Sequence, residues 1–268
     1  MGLAIDTVLA QVTNSAALTN VTVAPGDSLT VRSFQPPAQA FLENIIIKGG
    51  QVTTARVLSP LLHDAVRGIT VLSAQAPTTI ALPREIGQRL TSQDTLQLQG
   101  NSGAANSSVF ALCNYYTDAG GAAARLVNWG DVSGLIVNIK PVEIDVTASA
   151  TIGQWNDTAF TTTENLLKAD TDYAVLGYQV DVACGVVAIK GADTSNLHVA
   201  GPGSVLEMVT TNYFVNESER TGRPHIPVIN AANVNNTTVS VADNAASTAV
   251  KVQMILAQLS QNLPKAGS

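Results

Sequence analysis

The chain has 268 residues, 46% hydrophobic, 13% charged and 4% aromatic, with two cysteines. Such a balance excludes intrinsic disorder, which needs low hydropathy and high charge, and it excludes collagen-like and disulfide-scaffold classes, which need a glycine period or dense cysteine. Lys and Arg number 14 against 20 Asp and Glu, for a net charge of −6. The basic residues are scattered singly, so the charge pattern predicts no direct binding of nucleic acid through phosphates.

The β-branched residues Val and Thr are abundant, with frequent Asn and Gly between them. β-branched residues suit a pleated, half-buried surface, and Asn with Gly suits the turns between strands. The predicted class is all-β.

In chain order, residues 3–12 set Ile5, Val8, Leu9 and Val12 on one helical face, which predicts a short amphipathic helix. The same N-terminus has no basic n-region and no continuous apolar run, so no signal peptide is predicted and synthesis in a cytoplasm is expected. Alternating apolar residues then predict strands at 19–24, 29–34, 41–48, 52–58, 68–75, 78–83, 94–99 and 107–116. Beyond them, the strands expected are 142–151, 159–163, 173–183, 185–190, 196–200, 211–215, 225–230, 237–242 and 248–259. Further short helical stretches are expected after Pro60 and Pro202, at 61–66 and 204–209.

An internal repeat organises these strands. With a shift of 143, Thr95–Cys113 lies over Thr238–Leu256, so that Leu96 meets Val239, Leu98 meets Val241 and Val109 meets Val252. A second block, Ile45–Pro60, lies over Val187–Pro202 with a shift of 142, matching Ile47-Lys48-Gly49 to Ile189-Lys190-Gly191. A shared register matters because a slip of one residue reverses every side chain on a strand. The offsets divide the chain into a first unit at 1–126, a linker at 127–142 and a second unit at 143–268. Eight short strands per unit fit a jelly roll, and a Greek-key sandwich gives the same pattern. The expected architecture is two tandem jelly-roll barrels with few short helices.

Chemistry-bearing motifs are absent. His63, His198 and His225 have no counterparts across the repeat and no triad or metal spacing, so surface or loop roles are expected for all three. Cys113 and Cys184 align with Leu256 and Leu42, which predicts reduced, buried core thiols. Asp170, Asp172 and the Asn233–Asn236 stretch near Asp243 lack calcium-loop spacing and read as turn formers. The run Asn212–Thr238 reads as strand, charged loop at 217–223 and strand, the loop serving either a subunit contact or solvent. No catalytic, cofactor-binding or metal-ligating residue is assigned, and the expectation is that the chain is not an enzyme.

With its I-K-G…V…P and T-φ-x-φ…N…V repeats, the chain resembles the double jelly-roll major capsid proteins of icosahedral viruses. In size it is most similar to those of corticovirus-like, lipid-containing bacteriophages. The resemblance implies a virion protein whose two barrels stand upright and whose homotrimers form pseudo-hexagonal capsomers. It also implies no genome-binding arm, and a short N-terminal segment that contacts neighbours or an internal viral membrane. No long helix flanking the second barrel is read, a departure from the family pattern. Two alternatives come from other classes. A virion-associated carbohydrate- or receptor-binding β-sandwich would want aromatic platforms, for which only Trp129 and Trp155 are available. A double-barrel cupin would want clustered His and carboxylate ligands.

Overall fold

The computed structural model describes every residue except Met1 and 51–52, 63–67, 74–77, 82–87, 119–122, 161–166 and 265–268. Strands take up 50% of the residues and helices 13%, so the protein is all-β, built from antiparallel sheets. The first half holds β1 (Ala4–Ser15), β2 (Thr19–Asn20), β3 (Thr22–Val23), β4 (Ala40–Lys48) and β5 (Thr53–Leu58). It continues with β6 (Ile69–Ser73), β7 (Thr78–Ala81), β8 (Gln88–Leu90), β9 (Gln97–Gly100) and β10 (Gly103–Tyr116). These form a six-stranded sheet ordered β3-β1-β10-β4-β7, with β8 also paired to β4, and a four-stranded sheet ordered β2-β9-β5-β6.

After β11 (Leu126–Val127) and the short helix α1 (Trp129–Val132), the second half runs through β12 (Ile136–Thr147), β13 (Asn156–Ala159), β14 (Asp172–Val180), β15 (Val186–Lys190) and β16 (Val199–Pro202). Two helices follow, α2 (Glu207–Thr210) and α3 (Tyr213–Thr221), then β17 (Ile226–Asn230), β18 (Thr238–Ala242) and β19 (Ala249–Leu259). Their sheets are ordered β11-β17-β14-β19-β12 and β13-β18-β15-β16. The two halves therefore wind alike. The path β1-β10-β4-β7 corresponds to β12-β19-β14-β17, and β2-β9-β5-β6 corresponds to β13-β18-β15-β16.

Three apolar clusters stack the four sheets in one order. Ala55, Val57 and Leu98 of the first four-stranded sheet meet Leu42, Ile45, Ile47, Phe110 and Leu112 of the six-stranded sheet. The opposite face of that six-stranded sheet, through Leu9, Ile46, Val109, Ala111 and Cys113, meets Val186, Ala188, Ala200 and Ala242 of the second half. The third cluster joins Val187, Ile189, Val239 and Val241 to Val142, Ile144, Val252 and Met254 of the five-stranded sheet. The middle cluster is a seam between two sandwiches, and burial of its apolar area at roughly 25 cal/mol per Å² is what holds them together.

The seam explains where strand-level reading goes astray. Because the six-stranded sheet is covered on both faces, β10 is buried without a break from Ser108 to Tyr116, and alternation there no longer marks one inward face. Leu96 and Val239 both point into their own sandwich cores, but Val109 faces the seam whereas Val252 faces a core. The ungapped pairing of those two valines is thus overturned. The block at shift 142 also fails, since Ile47 lies on β4 beside β10 whereas Ile189 lies on β15 beside β18.

Residues 3–12 are strand rather than helix. Val8 and Val12 face the first core while Leu9 faces the seam and Ile5 packs with the second half, so two buried faces mimic a helical stripe. The segment 29–34 makes only an isolated bridge from Thr30 to Thr95. The segment 211–215, the one strand too many for an eight-stranded unit, instead holds the junction of α2 and α3, with Tyr213, Phe214 and Val215 in α3. That helix stops at Gly222 in the left-handed conformation, φ +66°, whose amide donates to Ser218 O at 2.9 Å. Strand β12 begins at Ile136 and β11 already pairs with β17, so the stretch 127–142 carries elements of the second sandwich. Of the two short helices expected after prolines, α2 begins at Glu207, and residues 63–66 lie outside the described residues.

Candidate functional site

The seam is also where the charged side chains gather. At the Tyr115 end of β10, Glu43 accepts from Nε2 of His225 and from Arg223 of the second half. The His225 ring stacks on Tyr115 with centroids 5.2 Å apart, and its Nδ1 lies 3.1 Å from both Thr221 Oγ1 and Arg223 O. Beside it Asn44 Nδ2 donates to Tyr213 Oη at 3.3 Å and Glu217 Oε2 at 3.2 Å, and Glu217 pairs with Arg220. Burial alone would push the Glu43 carboxyl up, but the His225 and Arg223 charges outweigh it and hold the group below its ordinary value. Asn44 Oδ1 and Asn114 Oδ1 border a cavity of about 10 Å³ here and find no partner among the described residues.

At the Val109 end of β10, Lys48 reaches across to donate to Ala183 O at 2.8 Å and to Asp243 Oδ1 at 2.7 Å. Asn244 Nδ2 donates back to Ser107 O at 3.1 Å. A third polar contact lies along β1, where Asp27 Oδ2 accepts from Leu9 N at 2.7 Å and from Trp155 Nε1 at 3.2 Å. Trp155 stacks on His198 with centroids 4.2 Å apart. These groups wall a cleft of about 560 Å³ that also takes in Asp6, Arg32, Asp157 and Lys190.

The charges in that cleft are paired with one another. Arg32 Nε donates to Asp6 at 2.6 Å, and Lys190 Nζ to Asp157 at 2.9 Å. The bond from His198, with those from Ser240 and Lys190, holds the Asp157 carboxyl well below the usual range, whereas burial raises that of Asp27. Among the described residues no group of three or more His, Cys, Asp and Glu is set to hold a metal ion. The pairs Asp6–Arg32 and Asp157–Lys190 each lie within one half, and it is the bond from Trp155 to Asp27 that joins the two halves across this cleft.

The residues singled out in the sequence fall into this picture differently from expectation. His198 and His225 do lie in loops, but as buried partners of Asp157 and Glu43 rather than at the surface, and His63 lies outside the described residues. The charged loop at 217–223 is mostly helix, and its Glu217, Arg220 and Arg223 are engaged within the chain. Asp172 is buried against Arg125 and accepts from Asn230 Nδ2 at 2.7 Å, while Asn233 Nδ2 donates to Asp193; these contacts clamp the end of the second sandwich. Cys113 and Cys184 are buried and free. Glu43 and Arg125 drew no attention in the sequence, though a lone Glu inside the apolar run of β4 is a signal of a buried partner.

No protein-family model matches the chain, and no curated protein does. Among solved structures it is similar to one titled "Crystal structure of PBSX exported protein XepA", at 9% identity over 94% of this chain and 86% of that one. The TM-score of 0.19 is too low to bear on fold or function.

Proposed function

We propose that the chain is a structural virion protein, a double jelly-roll capsid subunit that assembles as homotrimers into the pseudo-hexagonal capsomers of an icosahedral shell. The observation that carries this reading is the strand order. Counting eight main strands in each half, one sheet runs first-eighth-third-sixth and the other second-seventh-fourth-fifth, the winding of a jelly roll made from two Greek keys. Its occurrence twice in one chain, with the halves fused through an apolar seam and ion-pair clamps, supports a rigid building block. On this reading the chain has no catalytic role and no direct contact with the genome, and it resides in the virion shell after synthesis in the host cytoplasm.

Light scattering over a range of concentrations tests the proposal, with negative-stain microscopy of the concentrated protein. Trimers of about three times 27.8 kDa, associating further into sheets or shells, are expected. A monomer at every concentration overturns it.

The cleft along β1 favours a second reading, a carbohydrate-binding or receptor-binding virion protein, because its polar lining suits hydroxyls. Trp155, already stacked on His198, is a poor sugar platform, which ranks this reading second. A glycan array separates the two.

A further inference from the structure

Two surface features serve neither sandwich core. The first surrounds α2, where Val205, Leu206, Met208 and Val209 are all exposed, Met208 at 95% and Leu206 at 64%. Monomeric proteins rarely leave so continuous an apolar run in water. Glu207 stands among them. The C-terminal end of α2 rests on the outer side of the five-stranded sheet: Gly177 abuts Thr210 and Thr211, and Gln179 Nε2 donates to Thr211 Oγ1 at 3.1 Å. Gly177 and Gln179 alternate with Tyr178 and Val180 of the core face, which puts Thr210 and Thr211, at the end of α2, on the outer side of that sheet.

The second feature is the outer face of the sheet β2-β9-β5-β6. There Leu72 is 75% exposed, and the register pairs Thr54 with Leu72 and Arg56 with Thr70. Residues two apart share a face, so Arg56 lies beside Leu72 on that outer side. Among the described residues neither Arg56 nor Glu207 lies in an ion pair.

We infer that these two features bind each other between copies of the chain, head to tail, with Leu206 and Met208 of one copy against Leu72 of the next and Glu207 paired with Arg56. An apolar patch with an acid and an apolar side chain with a base are complementary. A contact between two different patches is heterologous, and it ends in a ring if the rotation closes. Around a ring of three copies, six sandwiches would then meet alternately through the seam inside a chain and through α2 between chains. This inference rests on the capsid reading for the number three. The apolar residues form the centre of a contact that needs about 800 Å² on each partner.

The test uses the full-length chain and four variants beside it. Met208→Asp is expected to raise the concentration for half-assembly about tenfold or more, with the circular dichroism spectrum and melting temperature unchanged because the side chain is exposed. Glu207→Arg is expected to weaken assembly, and adding Arg56→Glu to restore it. The double variant Met208→Cys, Leu72→Cys should give a covalent trimer on a non-reducing gel after mild oxidation. If the wild type is a trimer and remains one with Met208→Asp, or the double cysteine variant forms no intermolecular disulfide, the contact assigned here is overturned and the capsid reading stands. If the wild type is monomeric throughout, the capsid reading fails and this contact with it.

Discussion

Glu43, on a strand of the first sandwich, accepts a hydrogen bond from Nε2 of His225, which precedes β17 in the second, and both side chains are almost wholly buried. Arg223 shares the same carboxylate. Removing one member of a buried ion pair strands the others, at a cost of about 3–5 kcal/mol. Glu43→Ala is therefore expected to lower stability by that amount in urea unfolding. Replacing Glu43, His225 and Arg223 together with apolar residues should recover much of it, since buried pairs often do no better than apolar packing. A loss below about 1 kcal/mol for the single variant would mean that the clamp does not hold the seam.

The same carboxylates set the acid limit of the fold. Glu43, Asp157 and Asp172 have values held below those of the unfolded chain. A depressed folded value contributes stability that is present above the unfolded value, about pH 4, and is lost as pH falls through the folded one. Asp27 runs the other way, because burial raises it, so its contribution improves as pH falls. With three groups against one, the melting temperature should drop below about pH 4. Asp157→Asn should shrink that drop and Asp27→Asn should deepen it. A melting temperature flat down to pH 2 would refute the assignment.

Much of the architecture is legible in the sequence where a strand has one buried face. The C-terminal half of β12, from Val142, and β18 are readable because Val142, Ile144 and Val146, like Val239 and Val241, point to one core. Reading failed where burial is two-sided. Strand β1 looks helical, and the phase of β10 is ambiguous, because the seam makes both parities apolar. Helix α3 was hidden by Tyr213, Phe214 and Val215, residues that favour strands in isolation, although Glu217 paired with Arg220 and a following Gly222 were helix signals already present. The seam clamps depend on partners such as Glu43 and Arg223, 180 residues apart, and no local pattern links them.

Both thiols should be silent in the native protein. Burial, the largest influence on each, pushes Cys113 and Cys184 up to about 12, and the thiolate is the reactive form. Cys113 lies in the seam itself, where Thr7 Oγ1 approaches its sulfur at 3.8 Å. Thiol titration should find no labelling in buffer and two equivalents in denaturant. Rapid labelling of Cys113 alone in buffer would show the seam opening while the sandwiches remain folded, and would contradict a rigid fusion.

Gly177 tests whether the α2 region is held by close backbone contact. A Cβ at this position would sit 2.2 Å from Thr210 O and 2.5 Å from Thr211 O, both backbone atoms that cannot swing aside. Gly177→Ala must lift the junction of α2 and α3 off β14 and strain the bond from Gln179 to Thr211, at an expected cost of about 1–3 kcal/mol. Gly130 in α1 is the control. Its Cβ would meet nothing within 4 Å, and Ala is the better helix former by up to about 1 kcal/mol, so Gly130→Ala should be neutral or mildly stabilising. The pair also separates two causes of weak assembly. Gly177→Ala should lower the melting temperature and assembly together, because it displaces the patch by deforming its support, whereas Met208→Asp should lower assembly alone. Equal melting temperatures for Gly177→Ala and Gly130→Ala would show that α2 is not seated on β14 as described.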